Sequence, residues 1–108
     1  MKQTKNMTKI FKALSNPHRL ELYLQIKEQA ELSIEKGEKE HTCFLTTLIT
    51  NLNIGAPTIS HHLKELVNSE LVHTERQGKF LICKLNTEVL NDVKNIFESG
   101  SLNPIKES

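Results

Sequence analysis

The stretch Leu45-Thr46-Thr47-Leu48-Ile49-Thr50-Asn51-Leu52-Asn53-Ile54-Gly55-Ala56-Pro57-Thr58-Ile59-Ser60-His61-His62-Leu63-Lys64-Glu65-Leu66-Val67-Asn68 decides the fold. It reads as two short helices joined by a tight turn. Thr46 or Thr47 can cap the first, whose apolar stripe is Leu48, Ile49 and Leu52. Asn53-Ile54-Gly55 makes the turn, with Gly55 free to take a positive φ. Pro57 opens the second helix over 57–68, and Ile59, Leu63, Leu66 and Val67 recur at helical spacing to face a core. After Asn68-Ser69-Glu70 the pattern changes to strands: Leu71 to Arg76, the turn Gln77-Gly78, then Lys79 to Leu85. A helix pair followed at once by a hairpin describes a winged helix-turn-helix.

The flanks agree with that reading. A first helix spans about 4–14, with Met7, Ile10, Phe11 and Leu14 on one stripe. Ser15-Asn16-Pro17 stops it and starts another, since Ser or Asn can cap and Pro suits a first turn. This second helix runs to about Gln29, with Leu20, Tyr23, Leu24 and Lys27 along one stripe and Leu22 and Ile26 along its neighbour. Apolar residues around more than half its circumference predict a central, heavily buried helix. Residues 28–40 are rich in charge and read as a solvated extension and loop, broken at Gly37. His41 to Leu45 is short and extended. A last helix, Thr87 to Glu98, places Val89, Leu90, Val93, Ile96 and Phe97 on one face, and the tail 99–108 is expected to fray. The expected fold is mainly α with a β-hairpin wing, in the order α-α-α-α-β-β-α, forming one domain over residues 1–98.

Composition allows this and excludes much else. At 108 residues, 37% hydrophobic, 25% charged and without Trp, the chain suits a single mostly helical domain. No apolar run approaches the ~20 residues that span a bilayer. Met1 to Met7 lacks the apolar stretch of a signal peptide, so a cytoplasmic location is expected. Cys43 and Cys83 are too few and too far apart for a disulfide framework, which points to a reducing compartment. The formal net charge is only +1, but charge is sorted along the chain. Residues 1–20 hold Lys2, Lys5, Lys9, Lys12 and Arg19 and no acid; residues 21–40 hold six Glu against three Lys. Between 55 and 85 lie Lys64, Arg76, Lys79 and Lys84 against Glu65, Glu70 and Glu75, with His61, His62 and His73 besides.

If the apolar stripe of the 57–68 helix faces inward, Thr58, His61, His62, Lys64 and Glu65 project outward, with Ser60 on the flank. The short first turn, Ala56-Pro57-Thr58, lets the helix N-terminus approach a duplex backbone, where its free N–H groups favour a phosphate. Thr58, Ser60 and His61 can hydrogen-bond base edges, and Ala56 and the Thr58 methyl can touch thymine methyls. Lys64, Arg76 and Lys79 neutralise phosphates, and Gln77-Gly78-Lys79 forms the tip of the wing. Each of these residues taken singly is an ordinary surface polar group. His62 lies nearest the buried edge and can equally cap or pack. The same fold can also serve as a protein interaction module, which the low net charge would suit. An enzyme finds no support: Ser60-His61 is not a triad, no Gly-rich phosphate loop occurs, and no carboxylate pair is placed in a cleft.

The segments Phe11-Lys12-Ala13-Leu14-Ser15-Asn16-Pro17-His18-Arg19-Leu20-Glu21-Leu22, Pro57 to Leu66, and Leu71-Val72 with Arg76-Gln77-Gly78-Lys79 together resemble the ArsR/SmtB family of bacterial winged-helix repressors. The resemblance spans about residues 7–98. It implies a homodimer joined through the first and last helices, bound to an inverted-repeat DNA operator and released by an effector. Met7, Ile10, Phe11, Val89, Val93, Ile96 and Phe97 are the interface residues so implied; packing within one chain is their alternative role. The family often has Gly where this chain has Glu70, which places a non-Gly residue at an unfavourable helix end.

Many members of that family sense metals through a Cys-x-Cys-Asp-Leu run at the third helix or Asp/His pairs on the last. Here the run reads Thr42-Cys43-Phe44-Leu45-Thr46-Thr47-Leu48, and the last helix has no His, so no metal site and no cofactor are expected. His41 and Cys43 remain two ligands of a partial site at most. If the segment before the third helix pairs with the second hairpin strand, Cys43 and Cys83 come together as an oxidant-sensing thiol pair. Equally, both are small buried hydrophobes, since Cys83 alternates with Leu81 and Leu85 on the core face of its strand.

Overall fold

The computed structural model describes residues 2–35 and 42–98. The elements are α1 (Lys2–Leu14), α2 (Pro17–Glu35), β1 (Thr42–Phe44), α3 (Leu45–Leu52), α4 (Ala56–Asn68), β2 (Val72–Gln77), β3 (Phe80–Leu85) and α5 (Thr87–Glu98). The expected tail 99–108, the end of the charged 28–40 segment and His41 lie outside the described residues. The winged helix-turn-helix order is present, with one addition. Thr42-Cys43-Phe44 pairs antiparallel with β3, so the wing belongs to a three-stranded sheet in the order β1-β3-β2.

Local chemistry explains where the helices begin and end. Asn16 caps α2: its Oδ1 accepts the backbone N–H groups of His18 and Arg19 at 2.9 and 3.0 Å, and Pro17 fills the first helical position. Arg19 Nε donates to the Ala13 carbonyl at 2.7 Å, closing the end of α1 onto the start of α2. Asn86 does the same service for α5, its Oδ1 accepting the Val89 N–H while its Nδ2 donates to the Glu70 carbonyl.

Two expectations about caps are corrected. Neither Thr46 nor Thr47 caps α3, which starts at Leu45 after an extended Phe44 with no side-chain cap. The strand β1 delivers the chain directly into that helix, so no capping side chain intervenes. In the turn between α3 and α4, Asn53 takes the left-handed conformation (φ 53°), whereas Gly55 has φ −59° and serves as the N-cap of α4. Asn tolerates that region because its short polar side chain bonds locally.

The core is built from Leu22, Ile26, Leu48, Ile59, Leu66, Leu71, Val72 and Cys83, all essentially solvent-free. Helix α2 lies at its centre, against α1, α3, α4 and both β1 and β3. Its burial is narrower than its composition predicts. Leu22, Tyr23, Ile26 and Ala30 are buried, but Leu20 and Leu24 are exposed at 40% and 52%. The helix presents one face to the core and leaves a second apolar strip open.

Helix α4 ends in a Schellman motif: the Leu71 N–H donates to the Leu66 carbonyl and the Glu70 N–H to the Val67 carbonyl, at 3.1 and 2.9 Å. Leu66 and Leu71, the two apolar residues such a motif brings together, are both buried. Glu70 must then adopt φ 67°, as the sequence anticipates. A side chain in that region costs about 1–2 kcal/mol relative to Gly. Glu70→Gly is therefore expected to stabilise the fold by up to about 1 kcal/mol, after allowance for the freer unfolded chain. That corresponds to a melting temperature higher by roughly 4–8 °C. A thermal melt that leaves the variant level with or below the parent would show that Glu70 is not strained.

Candidate nucleic-acid interface

Helix α4 divides cleanly between core and solvent. Ile59, Leu63 and Leu66 are buried and Val67 is half-buried, while Ala56, Pro57, Thr58, Ser60, His61 and Lys64 are exposed. Pro57, Ser60, His61 and Lys64 fall on one stripe at helical spacing. The first turn carries no capping side chain, but the expected row of free N–H groups is not there: Pro57 has none, and those of Thr58 and Ile59 both donate to the Gly55 carbonyl at 3.1 Å. Arg76, Gln77 and Lys79 are also exposed, on the hairpin that follows. Gln77 pairs with Phe80, leaving Gly78 and Lys79 as the tip; Gly78 has φ +64°, which Gly permits without cost. The ammonium of Lys79 lies 5.7 Å from the Phe80 ring centre. Lys84 is engaged elsewhere, paired with Glu75 at 2.6 Å.

His62 departs from its expected outward position. Only 9% of the residue is exposed, and its ring stacks on His18 of α2 at 6.2 Å between centroids, with the His61 ring 5.5 Å away. Its Nδ1 has no hydrogen-bond partner. Burial, and then the neighbouring charge of Arg19, push its pKa below the usual histidine value. The ring thus packs between α4 and the start of α2, while His61 stays exposed. Glu65, also expected outside, is half-buried.

The terminal helices share an aromatic contact. Phe11 of α1 and Phe97 of α5 meet edge to face at 5.9 Å, and both remain exposed, at 40% and 72%. No residue of α5 is fully buried, and Val89, Val93 and Ile96 are only partly covered. Met7 and Ile10 differ from the other expected interface residues: at 6% and 3% exposure they belong to the core of the chain itself. Their alternative role, packing within one chain, is the one they fill.

Two further features concern the sheet. Cys43 of β1 stands directly opposite Cys83 of β3, and both are free and buried. The interaction between the two thiols, and then burial, drive the Cys43 pKa up, while the same interaction lowers that of Cys83. On the opposite face, Phe44 and Phe80 pack edge to face at 5.7 Å. Nothing in the spacing of those phenylalanines announces their contact, since it depends on the β1–β3 register. Among the described residues no group of three or more His, Cys, Asp or Glu is placed to hold a metal ion. Nor is any described helix long and apolar enough to cross a membrane.

Comparison with known proteins agrees with this geometry. The profile of the family described as bacterial regulatory protein, arsR family, matches residues 40–74, which hold β1, the helix pair and the start of the wing. The arsenical resistance operon repressor of Staphylococcus xylosus is 36% identical over 102 residues, covering 89% of this chain and 86% of that protein. The transcriptional repressor SdpR of Bacillus subtilis (strain 168) is 33% identical over 89 residues, covering 82% of this chain and 86% of its own. Among solved structures, the transcriptional repressor BigR from Xylella fastidiosa superposes with a TM-score of 0.61 at 26% identity, covering 89% of this chain and 90% of that one. These relatives are regulators rather than enzymes.

Proposed function

The chain belongs to the arsR family of bacterial regulatory proteins and is a DNA-binding transcriptional regulator, and from that footing we propose that it acts as a homodimeric repressor reading an inverted-repeat operator through α4 and the wing. The observation that carries the reading is the two-sided character of α4. Its inner stripe is sealed into the core, while Ala56, Pro57, Thr58, Ser60, His61 and Lys64 are exposed, as are the wing residues Arg76, Gln77 and Lys79. A helix held from behind in this way can enter a major groove without rearrangement. Thr58, Ser60 and His61 supply hydrogen-bonding groups for base edges; Lys64, Arg76 and Lys79 supply positive charge for phosphates.

Dimerisation is supported by the half-covered face of α5 and by the exposed Phe11–Phe97 pair, which offer a second copy the apolar area that a protomer alone leaves in water. With Met7 and Ile10 assigned to the core, Phe11, Val89, Val93, Ile96 and Phe97 are the residues proposed to meet across the two-fold axis.

Selection of bound duplexes from a randomised pool tests the reading. A single consensus with two-fold symmetry is expected. His61→Ala is expected to lose about 1–3 kcal/mol of discrimination at the base it contacts. Lys79→Ala is expected to weaken all duplexes alike. If His61→Ala returns the parental consensus with the parental spread of affinities, the reading face is misassigned.

A further inference from the structure

We propose that Cys43 and Cys83 form a two-electron thiol switch, in which a small hydroperoxide joins them as a cross-strand disulfide that lowers operator affinity. The effect on DNA rests on the reading of α4 and the wing given above; the chemistry of the pair does not. The two residues are exact register partners on antiparallel strands. Such partners hold their Cα atoms about 4.5 or 5.5 Å apart, depending on the hydrogen-bonding position. Both separations lie within the span of about 4.4–6.8 Å that a disulfide bridges without moving backbone. Two cysteines kept only as small hydrophobes have no need to face each other across a strand pair.

The chemistry is complete with one co-reactant. The facing Cys43 thiol lowers the pKa of Cys83 and favours the thiolate there. That thiolate attacks one peroxide oxygen and the O–O bond breaks. Cys83 is left as a sulfenic acid, and the departing alkoxide or hydroxide takes up the proton that the thiol released. The Cys43 sulfur then displaces the hydroxyl, which leaves as water with the Cys43 proton, and the S–S bond forms. Two thiols lose two electrons and two protons; the hydroperoxide becomes an alcohol, or water, plus water. Access favours a small oxidant. Cys43 is 8% exposed and Cys83 is fully buried, but β1 is a three-residue edge strand, the kind of element that opens locally.

The position of the pair links oxidation to DNA. Cys43 precedes the start of α3 by two residues, and Cys83 lies on the strand that returns from the wing tip. Closing the bond draws the sulfurs to about 2.05 Å, in a core where α2 packs against both strands. Close-packed interiors transmit such a shift. The helix pair and the wing, each attached to one of the joined strands, are then displaced relative to each other.

The test uses the full chain, hydrogen peroxide, and the duplex selected by the reduced protein. After peroxide and alkylation, intact mass is expected to show both thiols protected and two hydrogens lost. Affinity for the duplex is expected to fall by about tenfold, within the ordinary range for coupled sites, and to recover with dithiothreitol. C43A and C83A are expected to show no peroxide response; should C83A fail to fold, C43A on the edge strand decides alone. Absence of the intramolecular disulfide overturns the proposal, as does a disulfide that leaves affinity unchanged or a peroxide response that survives in C43A. If the reduced protein prefers no duplex, the DNA reading fails and the switch with it, while disulfide formation is still judged by mass.

Discussion

Raising monovalent salt from about 50 to about 200 mM is expected to weaken operator binding roughly a thousandfold. Lys64, Arg76 and Lys79 are exposed and lie on α4 and the wing, the two elements proposed to meet the duplex. A symmetric pair of chains therefore presents six such cations, each releasing a condensed counterion when it meets a phosphate. The logarithm of the binding constant should then fall with the logarithm of salt at a slope of about −5. Lys84 is left out because Glu75 already holds it at 2.6 Å. The formal net charge of only +1 does not oppose the effect, since association depends on local potential more than on the sum. Lys79→Ala should make the slope shallower by about one for each contact removed, hence about two in a homodimer. Fluorescence anisotropy titrations across salt concentrations measure both quantities. A flat salt dependence would place the protein with winged helices that bind other proteins, and would remove phosphate contact by these residues.

The parts of this arrangement that could be read from sequence share a cause. Where one face of an element is buried, residue spacing records it: Ile59, Leu63 and Leu66 mark the inner side of α4, and Val89, Val93 and Ile96 mark α5 from Thr87 to Glu98. Gly78 marked the wing tip, because a two-residue hairpin loop needs a positive φ there. Glu70 was legible as a strained helix end because a Schellman motif asks for Gly at that position.

What stayed hidden depends on partners distant in sequence. His62 sits at the border of the α4 stripe, and its burial is decided by His18, which the fold brings from another helix. Met7 and Ile10 share an apolar arc with Phe11; spacing alone cannot say which part of a wide arc meets the core. Leu20 and Leu24 are apolar yet exposed for the same reason. Three residues, Thr42-Cys43-Phe44, are too few to show a period of two, so β1 became visible only through its register with β3. That register is also what turns two isolated cysteines into a pair and two isolated phenylalanines into a contact.

The dependence of the reading surface on the core leads to the second large effect, expected from Leu66→Ala. Leu66 is fully buried and lies near the end of α4, where its carbonyl accepts the Leu71 N–H at 3.1 Å and the Ser69 hydroxyl at 2.9 Å. Alanine keeps these backbone bonds and raises intrinsic helix propensity, so any loss must come from packing. Removing the side chain leaves a cavity between α4 and the core, at a cost of about 2–5 kcal/mol. Domains of this size are stable by about 5–15 kcal/mol, so the loss is a large share of the total. The melting temperature should fall by roughly 10–30 °C. Measured at fixed protein concentration, to keep any dimer linkage constant, circular dichroism gives the shift directly. Operator binding at low temperature should keep the parental consensus, because Thr58, Ser60, His61 and Lys64 are untouched. At higher temperature it should fall in step with the folded fraction. Lys64→Ala, two residues away but exposed, should do the reverse, leaving the melt within about 0.5 kcal/mol of the parent while weakening every duplex. A Leu66→Ala melt displaced by no more than a few degrees would mean that α4 is not seated on the core as described, and its outward face would then lack the rigid backing on which DNA reading depends.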